Sequence, residues 1–136
     1  MKKYLDIVKK IHASPYKLTL VSSGGGTNAI SELLKVPGAS KTILESYIPY
    51  SKKSMDVFLG KKPDHYCSLD ACLNMAANAY KKSAEIGEKT KAKYLLGIAI
   101  TANLATTYEK KGDHIFFIVV QAHDYTKYIE CYLDKG

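Results

Sequence analysis

Residues 19–40 read TLVSSGGGTNAISELLKVPGAS, and the fold turns on how this stretch is read. Its start completes Lys17-Leu18-Thr19-Leu20-Val21-Ser22, a run rich in apolar and β-branched side chains that suits a short strand. Gly24, Gly25 and Gly26 then turn the chain. Thr27 or Asn28 can cap the helix that follows, whose Ala29, Ile30, Leu33 and Leu34 recur at helical spacing. Val36-Pro37-Gly38-Ala39-Ser40 stops that helix. A strand, a Gly-rich turn and a helix N-terminus together suit an anion, because glycine lets backbone N–H groups approach a ligand and the helix end adds partial positive charge. The turn is not a P-loop, since no Gly-Lys-Ser/Thr follows, and it is not a GxGxxG fingerprint, so no cofactor is expected. A plain tight corner accounts for the same three glycines.

Outward from this stretch, Tyr4, Leu5, Ile7, Val8 and Ile11 make one face of an amphipathic helix over residues 2–12, ended by Ser14-Pro15. Lys41 to Ile48 reads as a strand, with Pro49 at its end. Ser51 caps a short helix reaching Leu59. Ser68 opens a long one that Gly87 closes. Ala71, Leu73, Met75, Ala76, Ala79 and Tyr80 give that long helix a buried face of modest bulk, suited to close packing on a sheet. Tyr94 to Thr101 and His114 to Ala122 are nearly continuous apolar runs, as expected of strands buried on both faces. Tyr125 to Leu133 alternates as an outer strand, hairpinned to its predecessor. This order argues for an α/β fold: a mixed sheet covered by helices in three α/β/α layers, with residues 1–136 as a single domain.

The chain of 136 residues is long enough to bury one core without disulfides. Its net charge is +7, and all 20 basic residues are lysine. These lysines are scattered, mostly as pairs on loops and polar helix faces, whereas a nucleic-acid groove uses Arg forks interleaved with aromatics. The charge therefore reads as a solvated surface, and no nucleic-acid partner is expected. Cys67, Cys72 and Cys131 show no second pair and no His spacing that would make a zinc site, so no metal is expected. Three free thiols suggest a reducing cytoplasm. No apolar run approaches the ~20 residues a membrane span needs, and MKKYLDIVKK mixes charge too regularly for a signal peptide.

Ser23-Gly24-Gly25-Gly26-Thr27 precedes a helix, and Val36-Pro37-Gly38-Ala39-Ser40 follows it. A strand then ends in Pro49-Tyr50-Ser51, Leu59-Gly60 comes next, and Cys67-Ser68 opens the long helix. In these blocks, from Lys17 to Leu133, the sequence resembles the CinA C-terminal domain family (competence/damage-inducible CinA) as a divergent member. Known members are nicotinamide-nucleotide amidases, which deamidate nicotinamide mononucleotide. Counted back from Val36, the family's serine nucleophile falls on Ser23, and its Tyr-Ser pair falls on Tyr50-Ser51. An amidase needs a nucleophile, a base and oxyanion donors. The resemblance thus implies Ser23 and Tyr50 as catalytic residues. Gly24, Gly25, Gly26, Thr27, Ser51 and Thr101 become the ligand contacts. Each has a simpler reading beside it: Ser23 as a turn serine bonding local backbone, Tyr50 as a packed tyrosine among eleven, Thr101 as a strand-end cap.

The departures bear on the chemistry. The lysine that the family carries after that tyrosine falls on Met55, which cannot transfer a proton. Lys52 and Lys53 are near it in sequence, and Asp113-His114 would supply a Ser/His/Asp logic if it faced Ser23. The family's Thr-Gly-Ile-Ala-Gly-Pro loop is here Thr101-Ala102-Asn103-Leu104-Ala105-Thr106, in which only the threonine survives. The acidic residue beside the nucleophile is Ser22, and the family's final, arginine-bearing helix has no counterpart after Leu133. The expectation is a CinA-like domain that binds a small phosphorylated or pyridine-nucleotide-like ligand at the Gly-rich turn, with amidase chemistry altered or lost. An active nicotinamide mononucleotide amidase using Ser23, and a non-catalytic accessory or oligomerisation module, are the alternatives. Family members form dimers, and a truncated helical layer leaves apolar sheet to cover, so a homodimer or higher homo-oligomer is expected.

Overall fold

The computed structural model describes residues 2–24, 27–87, 89–103 and 114–133. Helix α1 (Lys2–Ala13) leads into strand β1 (Lys17–Ser23), and helix α2 (Thr27–Lys35) into strand β2 (Ile43–Tyr47). Helices α3 (Lys52–Leu59) and α4 (Leu69–Ile86) follow. Strands β3 (Leu95–Asn103), β4 (His114–Gln121) and β5 (Thr126–Leu133) complete the described chain. The strands form one sheet in the order β2-β1-β3-β4-β5. β1 is parallel to both of its neighbours, while β4 runs antiparallel to β3 and to β5, so the sheet is mixed as expected.

Alternation along β1 assigns the two faces. Val21 joins Met55, Leu59, Cys72, Met75, Ala76, Ala79, Ala99, Phe117 and Val119 in one buried cluster under α3 and α4. Leu18 and Leu20 point the other way and pack with Ile30 of α2, beside Ile43, Leu96 and Ile98. Helix α1 is tied to this second layer through His12, which is buried. Its Nε2 lies 2.9 Å from the Leu33 carbonyl oxygen and its Nδ1 lies 2.9 Å from Thr42 Oγ1. A carbonyl only accepts, so Nε2 carries the proton, and in the neutral ring Nδ1 accepts from the threonine hydroxyl.

One element differs from expectation. The strand read over Lys41 to Ile48 begins only at Ile43, because Ala39–Lys41 is a turn of 3-10 helix. Gly38 sets this up with a φ of 101°, in the left-handed region that disfavours every side chain. The Thr42 N–H closes the turn by donating to the Ala39 carbonyl oxygen at 2.9 Å. A Cβ on Gly38 would also press on the His12 Cβ at 3.2 Å, so the same glycine lets α1 lie close to the turn.

The long helix packs closely on the sheet. Its inward face is Ala71, Cys72, Met75, Ala76, Ala79 and Ser83, mostly small residues at helical spacing. At the crossing point β3 presents Gly97, where a Cβ would collide with the Tyr80 backbone nitrogen and the Ala76 carbonyl oxygen. Ser83 anchors the far end: its hydroxyl donates to the Leu96 carbonyl oxygen at 2.7 Å and lies 2.8 Å from the Thr19 hydroxyl.

Candidate functional site

In an open α/β sheet, ligands bind beyond the carboxyl ends of the parallel strands. Here those ends are Ser23 of β1, Tyr47 of β2 and the Thr101–Asn103 end of β3. Ser23 pairs directly with Thr101, and Val21 pairs with Tyr47 and with Ala99. By alternation Ser23 and Thr101 share the face of Val21 and Ala99, the one covered by α3 and α4. Ser23 is half-buried and Thr101 is buried.

Gly24 carries the chain off β1. Its φ is 84°, and a Cβ there would collide with the Ala102 carbonyl oxygen. Glycine is therefore required twice over at this position, by conformation and by the close approach of β1's end to β3. Gly25 and Gly26 lie outside the described residues. Helix α2 begins at Thr27, so its N-terminus opens just beyond the strand end.

The other expected site residues lie on or near α3. Tyr50, two residues past Ile48, is 80 % exposed. Ser51 is exposed, and its side-chain oxygen accepts from the Ser54 N–H at 3.1 Å, forming the N-cap of α3. Met55 is 1 % exposed and belongs to the core cluster of Val21, Cys72, Ala99 and Phe117. Lys53 is exposed, and Lys52 Nζ stands 5.8 Å from the centre of the Tyr66 ring. His114 opens β4 across from Leu133, at the same end of the sheet as Asn103, which pairs with Ile115. Asp113 lies outside the described residues.

Beneath Ser23 and Thr101 the sheet end is lined by Cys72 of α4. Its thiol is within hydrogen-bonding reach of the Ala99 carbonyl oxygen at 3.5 Å and of the Phe117 carbonyl oxygen at 3.6 Å. Burial pushes this thiol up from the ordinary 9.0 to about 12, so it stays protonated near neutral pH. Neither Met55 nor Cys72 is thus equipped to take a proton from Ser23.

Two depressions flank this end. One of about 340 Å³ lies against Tyr47, Pro49, Ser54, Phe58 and Lys82. The Tyr47 and Phe58 rings are tilted at 53° with their centres 5.3 Å apart, Lys82 Nζ is 5.6 Å from the Tyr47 ring, and the Tyr47 hydroxyl donates to Glu45 at 2.8 Å. Burial first, then that bond and the carboxylates of Glu45 and Glu85, raise the pKa of this phenol. Tyr47 was not singled out from sequence, although its place at the end of a strand was a usable signal. The other depression, about 530 Å³, lies at the start of α4 and is lined by Lys61, Lys62, His65, Ser68, Asp70 and Asn74.

Strand order, the mixed sheet and the helices on its two faces make an α/β domain whose fold recurs in solved CinA superfamily structures. The fold is shared with a CinA superfamily protein from Escherichia coli: TM-score 0.72, 13% identity, 97% of this chain and 76% of that one. It is shared likewise with the competence/damage inducible protein CihA from Agrobacterium tumefaciens: TM-score 0.70, 14% identity, 98% and 81% covered. A competence or damage-inducible protein from Enterobacter asburiae gives TM-score 0.72, 14% identity, 98% and 83% covered. No family model matches the sequence, and no curated protein does. At such identities the likeness is one of fold, and it bears out the CinA-like fold expected from the glycine turn and the Val36–Ser40 block. Among the described residues no helix is long and apolar enough to cross a membrane.

Proposed function

We propose that this CinA-like domain binds a small phosphorylated or pyridine-nucleotide-like ligand at the end of β1, and that the amidase chemistry implied by the family resemblance is altered or lost. One observation carries the reading. Ser23 and Thr101 meet in register at the carboxyl end of a parallel strand pair, next to a left-handed Gly24 and the opening of α2, while Met55 is sealed in the core. The first half of that arrangement suits an anionic group held by backbone N–H groups and a hydroxyl. The second half leaves Ser23 without the lysine that would activate it. Ser23 and Tyr50 keep their places in the reading as ligand-side groups, with Gly24, Gly25, Gly26, Thr27, Ser51 and Thr101 around them.

Thermal shift and ammonia release, measured on the same samples with nicotinamide mononucleotide and with inorganic phosphate, test both halves. A raised melting temperature without ammonia is expected. Ser23→Ala should keep the shift, and Thr101→Val should weaken it. Absence of any shift with either probe removes the binding site. Ammonia release abolished by Ser23→Ala restores the active amidase and overturns the loss of chemistry.

A further inference from the structure

The start of α4 gathers two of the three thiols. Ser68 is the N-cap: its side-chain oxygen accepts from the Ala71 N–H at 3.1 Å, and its carbonyl oxygen accepts from the Cys72 N–H at 3.0 Å. Cys67 therefore holds the position just ahead of the cap, and Cys72 the fourth position inside the helix. Side chains at these two places commonly pack on each other and fix how the chain enters a helix. Half-buried Cys67 packs on the buried cluster that contains Cys72. Its charge lies close enough to add to the rise that burial imposes on the Cys72 thiol. Cys72 is 0 % exposed, so a reagent from solvent meets Cys67 first. The Cys72 thiol reaches its two carbonyl partners only at 3.5 and 3.6 Å, and a thiol is a weak donor, so these bonds oppose its rotation toward Cys67 only weakly. The third cysteine is out of reach. Cys131 pairs with Phe116 while Phe117 faces α4, so by alternation Cys131 points to the other side of the sheet.

We propose that Cys67 and Cys72 are a redox pair, which a low-molecular-weight disulfide such as oxidised glutathione closes into an internal disulfide. Cys67 gives its proton to solvent, and its thiolate attacks one sulfur of the oxidant. A bond forms between Cys67 and one glutathione, the oxidant's S–S bond breaks, and the other glutathione leaves as a thiolate that takes up a proton. The Cys72 sulfur then attacks the Cys67 sulfur. The internal S–S bond forms, and the second glutathione leaves with the proton that Cys72 gives up. The two cysteines are thereby oxidised, and the disulfide reagent is reduced to its two thiols. Burial shields Cys72 from the reagent and also slows this second step, because it keeps the sulfur protonated. The mixed disulfide on Cys67 is therefore a visible intermediate. The internal bond ties the segment ahead of α4 to the part of the helix that lies beneath Thr101. Two thiols that merely fill space would stop at the adduct on Cys67.

The test is intact-mass spectrometry of the Cys131→Ser chain, sampled with acid quenching during incubation with oxidised glutathione in native buffer. A single glutathionyl adduct should appear and then give way to a chain lighter than the reduced one by two hydrogens. Peptide mapping should join Cys67 to Cys72, and dithiothreitol should restore the starting mass. In the same background Cys72→Ala should stop at the adduct, and Cys67→Ser should stay unmodified while folded. Should either variant fail to fold, the mapped bond in the Cys131→Ser chain decides alone. No reaction, an adduct on Cys67 that never closes, a second adduct on Cys72, or a disulfide between two chains overturns the proposal. Closure in urea but not in native buffer overturns it too, since the fold must then hold the two sulfurs apart.

Discussion

Met55 stands where the family resemblance places a lysine, and its side chain is 1 % exposed among Val21, Cys72, Met75 and Ala99. An ammonium introduced there has no carboxylate in that cluster to pair with and no water. It must either lose its proton or push the α3–α4 contact apart. Met55→Lys should therefore destabilise the fold by roughly 3–5 kcal/mol, the range seen when a charge is left buried without its partner. Met55→Leu should cost less than about 1.5 kcal/mol. Urea unfolding midpoints check both. A Met55→Lys variant as stable as wild type would mean that solvent reaches this position from the glycine turn, and the amidase reading would gain by it. The residue scale is also where sequence alone said least. The cap at Ser51 was legible, because a serine ahead of an amphipathic run has one common use. The burial of Met55 and the 80 % exposure of Tyr50 were not, since both depend on how α3 lies on the sheet.

Among the elements, α4 is the one whose position depends most on a single residue of another. Its inner face of alanines was readable from spacing, and so was the apolar run of β3. What periodicity could not tell is that the two cross at Gly97 with backbone against backbone. Gly97→Ala puts a methyl into the space held by the Tyr80 nitrogen and the Ala76 carbonyl, neither of which can rotate away. Overpacking a core typically costs about 1–3 kcal/mol, more where the neighbour is backbone, so a loss of about 3 kcal/mol or more is expected. The loss should be accompanied by faster amide exchange along α4 than in β1. A variant close to wild type would show that α4 rides on the sheet with slack. Elsewhere the elements came out of the sequence nearly intact. The exception is the start of β2, where Gly38's left-handed turn and the 3-10 segment Ala39–Lys41 take residues that β-propensity had assigned to the strand. Local steric demand outweighed propensity there, and no hydrophobic pattern marks such a case. At the candidate site, the glycine turn and Thr101 were legible for a similar reason, because a turn between strand and helix leaves a compositional mark. For Cys72 the sequence shows only a cysteine without zinc-site spacing, and its place beneath the strand ends depends on how α4 crosses the sheet at Gly97.

For the whole molecule, charge is the property that packing does not balance. The chain has 20 lysines against 13 acidic residues, for a net +7. Among the described residues the only ion pair within 4.0 Å is Lys35–Glu32 at 3.3 Å, an exposed pair one helical turn apart. Such a pair contributes a few tenths of a kcal/mol at most. The fold is then held by its two apolar layers and its buried hydroxyl and imidazole bonds, and the summed field of the lysines opposes compaction. Self-repulsion of this kind is screened by salt. The screening length falls from about 30 Å at 0.01 M to about 8 Å at 0.15 M, and the unfolded chain gains less because its charges are already far apart. Stability should therefore rise with sodium chloride, by on the order of 1 kcal/mol over that interval. Urea is the suitable denaturant because it adds no ionic strength, and the protein concentration must be held constant so that self-association does not shift the midpoint. A midpoint that falls as salt is added would mean that attractive charge pairs outweigh the lysine excess, and the surface would then be an ordered ion-pair network in place of a solvated coat. A rise confined to the first tens of millimolar would point instead to a few lysines crowded together, with the helix-paired Lys52-Lys53 and Lys81-Lys82 as the first to neutralise.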